Sequence, residues 1–259
     1  KKIGIPLKKG LEIWPTFIEL TERRNLFVHN DGIVTSQYIH ICKNHKVKFD
    51  EEPVLGSTLK ADPKYFNQAY ECIFEIGVKL GQVMWRKICP DETNKADEQM
   101  ISLSLDLIAE EKYSLAIELL KFILNVPRTK LSGEMKYMFK VNLAQAYKWN
   151  NQGNKCLETL NTEDFSALAY KFKLADAVLR DDFAIASEFM KRIDHEEMPK
   201  GIWADWPLFK EFVNTDEFKS TYYGKYGEEF ISQDEEIIDI ENVDIEKEIE
   251  LAEEALSEK

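Results

Sequence analysis

The run Trp14-Pro15-Thr16-Phe17-Ile18-Glu19-Leu20-Thr21-Glu22-Arg23-Arg24-Asn25-Leu26-Phe27-Val28-His29-Asn30-Asp31-Gly32 sets the fold class of this chain. Ile13, Phe17, Ile18, Leu20, Leu26 and Phe27 recur at helical spacing, and no glycine or proline interrupts Thr16 to Asp31. The pattern predicts one amphipathic helix. Trp14-Pro15-Thr16 supplies its start, because proline is tolerated in a first turn. Gly32 after Asn30-Asp31 supplies its stop.

The same run carries chemistry. Arg24, Asn25 and His29 put a permanent cation, a polar amide and a group that titrates near neutrality within six residues. Arginine grips phosphate as a planar fork, and histidine moves protons near neutral pH. Those are the requirements for cleaving a phosphodiester. Asn25 and His29 stand one turn apart, nearly in line. Arg24 and His29, five apart, sit about 140° apart around an ideal helix. A straight helix cannot aim both at one phosphate, so either the helix deforms near His29 or the two groups meet across an interface with a second copy.

The segment RRNLFVHNDGIVTSQYI resembles the signature of the HEPN superfamily, an arginine, often followed by a polar residue, with histidine four to six residues beyond. Arg24-Asn25 and then His29 match with four intervening residues, and Arg23 would match with five. The flanking VHNDGIV and Tyr38 are similar to the helix-turn-helix around that motif. The resemblance covers residues 11 to 90. It implies an all-helical domain that dimerises and sets two motifs together, commonly as a metal-independent endoribonuclease in toxin, antiphage or RNA-processing systems. Cleavage would use the RNA 2′-hydroxyl and leave a 2′,3′-cyclic phosphate. By position, Arg24 would bind or polarise the phosphate, His29 would act as general acid or base, and Asn25 would orient the imidazole. Arg23, Asn30, Lys43 and Lys46 would be RNA contacts. The family's helices before the motif helix have no counterpart in the ten or so residues preceding it, so the bundle is expected to be either N-terminally incomplete or truncated and inactive.

Composition fits an intracellular, cytoplasmic protein. The 259 residues are enough for a sizeable core, and 44% of them are hydrophobic. No run has the apolar length of a membrane span, so no membrane contact is expected. Cys42, Cys72, Cys89 and Cys156 are scattered without C-x-x-C spacing and read as reduced thiols. His40 and His45 beside Cys42 read as a solvated helix end, not as a metal site. No G-x-x-x-x-G-K loop and no H-E-x-x-H string is present. The expectation is therefore no cofactor and no metal. Net charge is −13, which taken whole opposes a nucleic-acid partner. Yet residues 1–90 hold 14 Lys and Arg against 10 Asp and Glu, leaving 20 against 37 for the remainder. The half bearing the motif is basic and permits RNA.

Lys43 to Pro63, with Pro53 and Gly56, reads as a loop. A second long helix is predicted from Pro63 to Ile88, with an apolar stripe of Phe66, Ala69, Tyr70, Ile73, Phe74, Gly77, Leu80 and Gly81. That stripe is expected to complete the N-terminal bundle, with Gly77 and Gly81 allowing close helix approach. Cys89-Pro90-Asp91 marks a boundary.

Beyond Lys95 the chain repeats itself. EEKYSLAIELL around Tyr113 recurs as RDDFAIASEFM around Phe183, and NLAQAYKWNNQGNKCLETL from Asn142 to Leu160 has the same helix-turn-helix form. This block is similar to degenerate tetratricopeptide repeats, which implies an array that binds a protein or peptide partner. Trp203, Trp206, Phe209, Phe212, Phe218 and Tyr222 make an aromatic segment that would seal the array's open end or bind a partner. From Gln233 to Lys259, 12 acidic residues face two lysines, and Ile245, Ile249, Ala252 and Leu256 keep a helical stripe. That tail would dock on its own chain, swap onto a partner, or cover the basic half.

The expected architecture is all-α: a HEPN-like helical bundle over 1–92, tetratricopeptide-like hairpins over 95–195, an aromatic cap over 196–230 and an acidic amphipathic tail over 231–259. The expected partners are RNA, a second copy through the N-terminal helical domain, and a protein on the repeats. Two functions are open: a dimeric endoribonuclease, or a non-catalytic repeat scaffold with a degenerate HEPN dimerisation domain.

Overall fold

The computed structural model describes residues 11–126 and 133–231. It is all-α. Its helices are α1 Trp14–His29, α2 Ser36–Asn44, α3 Pro63–Ile88, α4 Thr93–Ala109, α5 Tyr113–Asn125, α6 Gly133–Trp149, α7 Gly153–Leu160, α8 Tyr170–Leu179, α9 Phe183–Arg192, α10 Ile202–Asp205 and α11 Asp216–Tyr226. The acidic segment after Ile231 lies outside the described residues. The described residues divide into two compact units, 11–104 with 114–126, and 105–113 with 133–231.

In the first unit the punctuation is local chemistry. α1 carries Pro15 in its first turn and stays helical through His29. The Asn30 N–H then closes on Leu26 O at 2.8 Å, and Asp31 and Gly32 follow with φ of 49° and 76°. Thr35 caps α2 by accepting from the Tyr38 N–H at 3.2 Å, and Asp62 caps α3 by accepting from the Tyr65 N–H at 2.7 Å. The loop between α2 and α3 folds back onto the α1–α2 turn: Val34 N–H donates to Ser57 O at 2.8 Å and Leu59 N–H to Gly32 O at 2.9 Å. Leu26, Val34, Tyr38 and Cys42 are buried together, with Ile39, Val47, Phe49 and Leu59 packed on them.

α3 has the predicted bounds, but its orientation overturns the expectation for its apolar stripe. Phe66, Tyr70 and Ile73 are 72%, 43% and 54% exposed, and Gly77 and Gly81 lie on the same open side. No atom of the described residues lies within 4 Å of a Cβ built on either glycine, so the pair mediates no close packing inside the unit. The inward face is polar. Glu75, Lys79 and Gln82 are buried with Cys72. Lys79 pairs with Glu75 at 2.5 Å, Gln82 donates to Ala96 O at 3.3 Å, and Arg86 donates to Asp97 at 2.7 Å. These partners let the inward charges be buried, since an unpaired one would cost several kcal/mol, roughly 3–5.

The second unit is built on apolar packing. One turn recurs between α4 and α5, α6 and α7, and α8 and α9. Glu111, Asn151 and Asp181 adopt left-handed φ of 59°, 56° and 61°. The following N–H groups of Lys112, Gln152 and Asp182 reach back to Leu107, Tyr147 and Ala177 carbonyls at 2.8, 2.9 and 2.9 Å. This is a Schellman closure without glycine, made three times. α6 packs on α7 and α8, and α8 on α9. The aromatic segment belongs to the same core. Trp203, Phe209, Phe212 and Phe218 are fully buried with residues of α8 and α9. Trp203 lies 4.8 Å from Phe209, and its indole N–H donates to the Tyr226 hydroxyl at 2.9 Å. No described helix is long and apolar enough to cross a membrane.

Candidate functional site

The two arginines of the motif have different fates. Arg23 is half-buried and points into the unit. Its Nε donates to Glu19 Oε1 at 2.6 Å, a further nitrogen donates to Lys60 O at 3.2 Å, and the guanidinium lies 3.9 Å over the Tyr65 ring. Glu19 is buried on α1 and accepts from three directions, with Tyr38 at 2.7 Å on Oε1 and Tyr65 at 2.9 Å on Oε2. A buried carboxylate is tolerable only with this many donors. Burial would lower the Arg23 pKa, but the Glu19 carboxylate outweighs it and raises it. Burial first, and then Glu19, push the Tyr38 and Tyr65 phenols well above their usual range, which keeps them protonated donors. Burial likewise pushes the neighbouring Cys42 thiol up to about 11.

Sequence reasoning assigned no role to Glu19 or Tyr65. A signal for Glu19 existed: an acid in the apolar run Phe17-Ile18-Glu19-Leu20, four residues before an arginine, is the spacing of a helical ion pair. Nothing local marked Tyr65, which arrives from another helix.

Arg24, Asn25 and His29 are all exposed on the outer side of α1. The Arg24 guanidinium donates to Asn25 Oδ1 at 3.4 Å. Asn25 is therefore engaged with Arg24 and not with the imidazole it was expected to orient. Among the described residues no hydrogen-bond partner holds the His29 ring. Since α1 is regular through His29, no deformation brings the two groups together, and the roughly 140° between them persists. Exposed Val28 stands on the surface between them.

The remaining candidates scatter. Asn30 spends its amide on the turn, donating to Ile33 O at 2.7 Å. Lys43 is exposed in the last turn of α2 and not in a loop, while Lys46 is exposed at a left-handed position with φ 56°. A cavity of about 730 Å³ in the first unit is lined by Glu19, Arg23, Tyr65, Glu71, Glu75 and Glu118, among others. Neither Arg24 nor His29 lines it, and its carboxylates would repel a phosphate. Whatever Arg24 and His29 act on would have to meet them at the open surface. Among the described residues no group of three His, Cys, Asp or Glu side chains could hold a metal ion.

No protein-family model matches the chain, and no curated protein or solved structure is similar enough to it to count as a match.

Proposed function

We propose that the chain is a metal-independent endoribonuclease of the HEPN type, acting as a dimer in a toxin or antiphage setting, with its helical hairpins receiving a protein partner or signal. The observation that carries this reading is the split between the arginines. Arg23 is consumed by the Glu19 network, whereas Arg24, Asn25 and His29 are all left exposed, with no side-chain hydrogen bond to a residue outside α1 among the described residues.

In this reading Arg24 grips a non-bridging phosphate oxygen and offsets charge that develops as the 2′-oxygen attacks phosphorus. His29 takes the 2′-hydroxyl proton or gives one to the departing 5′-oxygen, and the bond to that oxygen breaks as the cyclic phosphate closes. Because one helix separates Arg24 from His29, the arginine of one copy serves the histidine of the other. Asn25 braces Arg24, a different role from the one its spacing suggested. Lys43 and Lys46 supply sequence-independent phosphate contacts.

The test is incubation of the full chain with total RNA beside Arg24→Ala and His29→Ala, with and without chelator. The expected outcome is cleavage to 2′,3′-cyclic ends, abolished by either substitution and indifferent to chelator. Cleavage that survives both substitutions overturns the proposal. Mixing the two inactive variants adds a finer check: one intact hybrid site per dimer would restore part of the activity. A second reading, a non-catalytic scaffold on the same dimer, is favoured by the unheld His29 ring; it predicts no cleavage by any form.

A further inference from the structure

α3 is folded inside out for a helix in a lone unit. Its inward face carries Glu75, Lys79, Gln82 and Arg86, while Phe66, Tyr70, Ile73, Gly77, Gly81 and Ile88 fall within an arc of about 80° on the open side. A stripe that is apolar, continuous over six turns and turned away from its own core marks an interaction surface.

We infer that this stripe pairs with the same stripe of a second copy, the two α3 helices running antiparallel. The register identifies the occupant. In an antiparallel pair centred between Ile73 and Phe74, Phe66 of each copy falls opposite Gly81 of the other, and Tyr70 falls opposite Gly77. Each exposed ring thus meets a position with no side chain, where no atom of the described residues occupies the space a Cβ would take. Ile73 of each copy falls opposite Phe74 of the other, so the two Ile73 positions flank the axis. Two large residues and two glycines at matched distances from one centre make a self-complementary surface, which is what a two-fold interface requires. A parallel pair would set ring on ring and glycine on glycine, wasting both. Glycines at the contact let the axes approach to about 8 Å, the short end of helix packing.

Charge argues against the other occupant the chain offers. The segment Gln233–Lys259 has 12 acidic residues against two lysines and would need basic borders. Between Phe66 and Ile88, Glu71 lines the cavity with Glu75, and Lys87 is the one charge left beside the stripe. A single lysine does not match that acidic segment, whereas an uncharged stripe suits a second copy of itself. In supplying the two-fold partner for Arg24 and His29 the inference rests on the reading above; the stripe and its register do not.

The experiment is sedimentation velocity on the full chain across the micromolar range, beside the double variant Gly77→Leu/Gly81→Leu. Both glycines are exposed in a helix, so leucine there favours helix formation and leaves the monomer folded. The expected result is a dimer for the natural chain and its loss in the variant, with helix content and thermal unfolding of the monomer unchanged or improved. As a second readout, Ile73→Cys in a Cys89→Ser background should cross-link two copies under mild oxidation. A natural chain that stays monomeric overturns the inference, as does a dimer that survives both leucines. A dimer that forms as described yet cleaves no RNA sinks the ribonuclease and leaves the interface standing. A variant that becomes monomeric and still cleaves RNA sinks the shared site alone.

Discussion

Adjacent side chains on one helix take opposite roles because successive residues differ by about 100° in direction. Arg23 turns inward and finds Glu19, Tyr65 and the Lys60 carbonyl, while Arg24 turns to water. Their substitutions should separate cleanly. Arg23→Ala leaves Glu19 buried with its charge partner gone, and should cost about 3 kcal/mol in urea unfolding at neutral pH. Arg24→Ala removes an exposed side chain and should change stability by no more than about 0.5 kcal/mol, while abolishing RNA cleavage. Equal stability losses for the two would mean that Arg23 is not structural. The sequence showed an Arg-Arg pair and an Asn-His spacing. It could not show which arginine was spent on folding, because that depends on Tyr65 and Lys60 from thirty or more residues away.

At the scale of elements, local signals located α1 and α3 well. Proline in the first turn, the Asp62 cap and the Gly32 stop act within a few residues and are written in order along the chain. Gly32 shows how tightly one turn is specified. It adopts φ 76°, and a Cβ there would lie 3.1 Å from the Phe27 ring and 3.2 Å from the Leu59 carbonyl. Gly32→Ala should therefore destabilise the first unit by about 1–3 kcal/mol, seen as a lower melting temperature. Gly56→Ala offers the contrast, since its φ of 80° strains an added side chain but no neighbour among the described residues stands within 4 Å of the added Cβ; its smaller loss would isolate the steric part. The repeated turn after α4, α6 and α8 was legible as a helix-turn-helix form, but its left-handed Glu111, Asn151 and Asp181 were not. Asparagine and aspartate visit that conformation more readily than most residues, but glutamate does not.

For the molecule as a whole, the two units differ in what holds them. The second surrounds its buried rings with aliphatic side chains. The first also buries aliphatic side chains, such as Met100, Leu119 and Ile123, and adds protonated polar groups: Tyr38 and Tyr65 are pushed up by burial, and Cys42 and Cys72 are raised by burial from 9.0 to about 11. A group with a raised pKa holds its proton in the folded state after the unfolded chain has released it. Stability is then fully present below pH 9 and falls as pH rises toward 11. Each thiol contributes roughly 2–3 kcal/mol over that window. Urea midpoints measured between these limits should fall, and Cys42→Val should flatten the fall. A midpoint that rose with pH would contradict the burial of these groups. Charge is also divided unevenly along the sequence, with a basic excess in residues 1–90 and an acidic excess after them.

The sequence by itself determined the helical class, the bounds of α1 and α3, and the presence of Arg24, Asn25 and His29 on one short segment. Those follow from periodicity, caps and turn residues, whose physics acts over a few positions. Tertiary structure alone decided that Arg23 belongs to Glu19, that the aromatic segment is core, and that the apolar stripe of α3 faces outward. Periodicity announces that a helix has an apolar side but is silent on what covers it. Burial against its own chain and burial against a second copy remove the same surface from water, and nothing in the spacing distinguishes them.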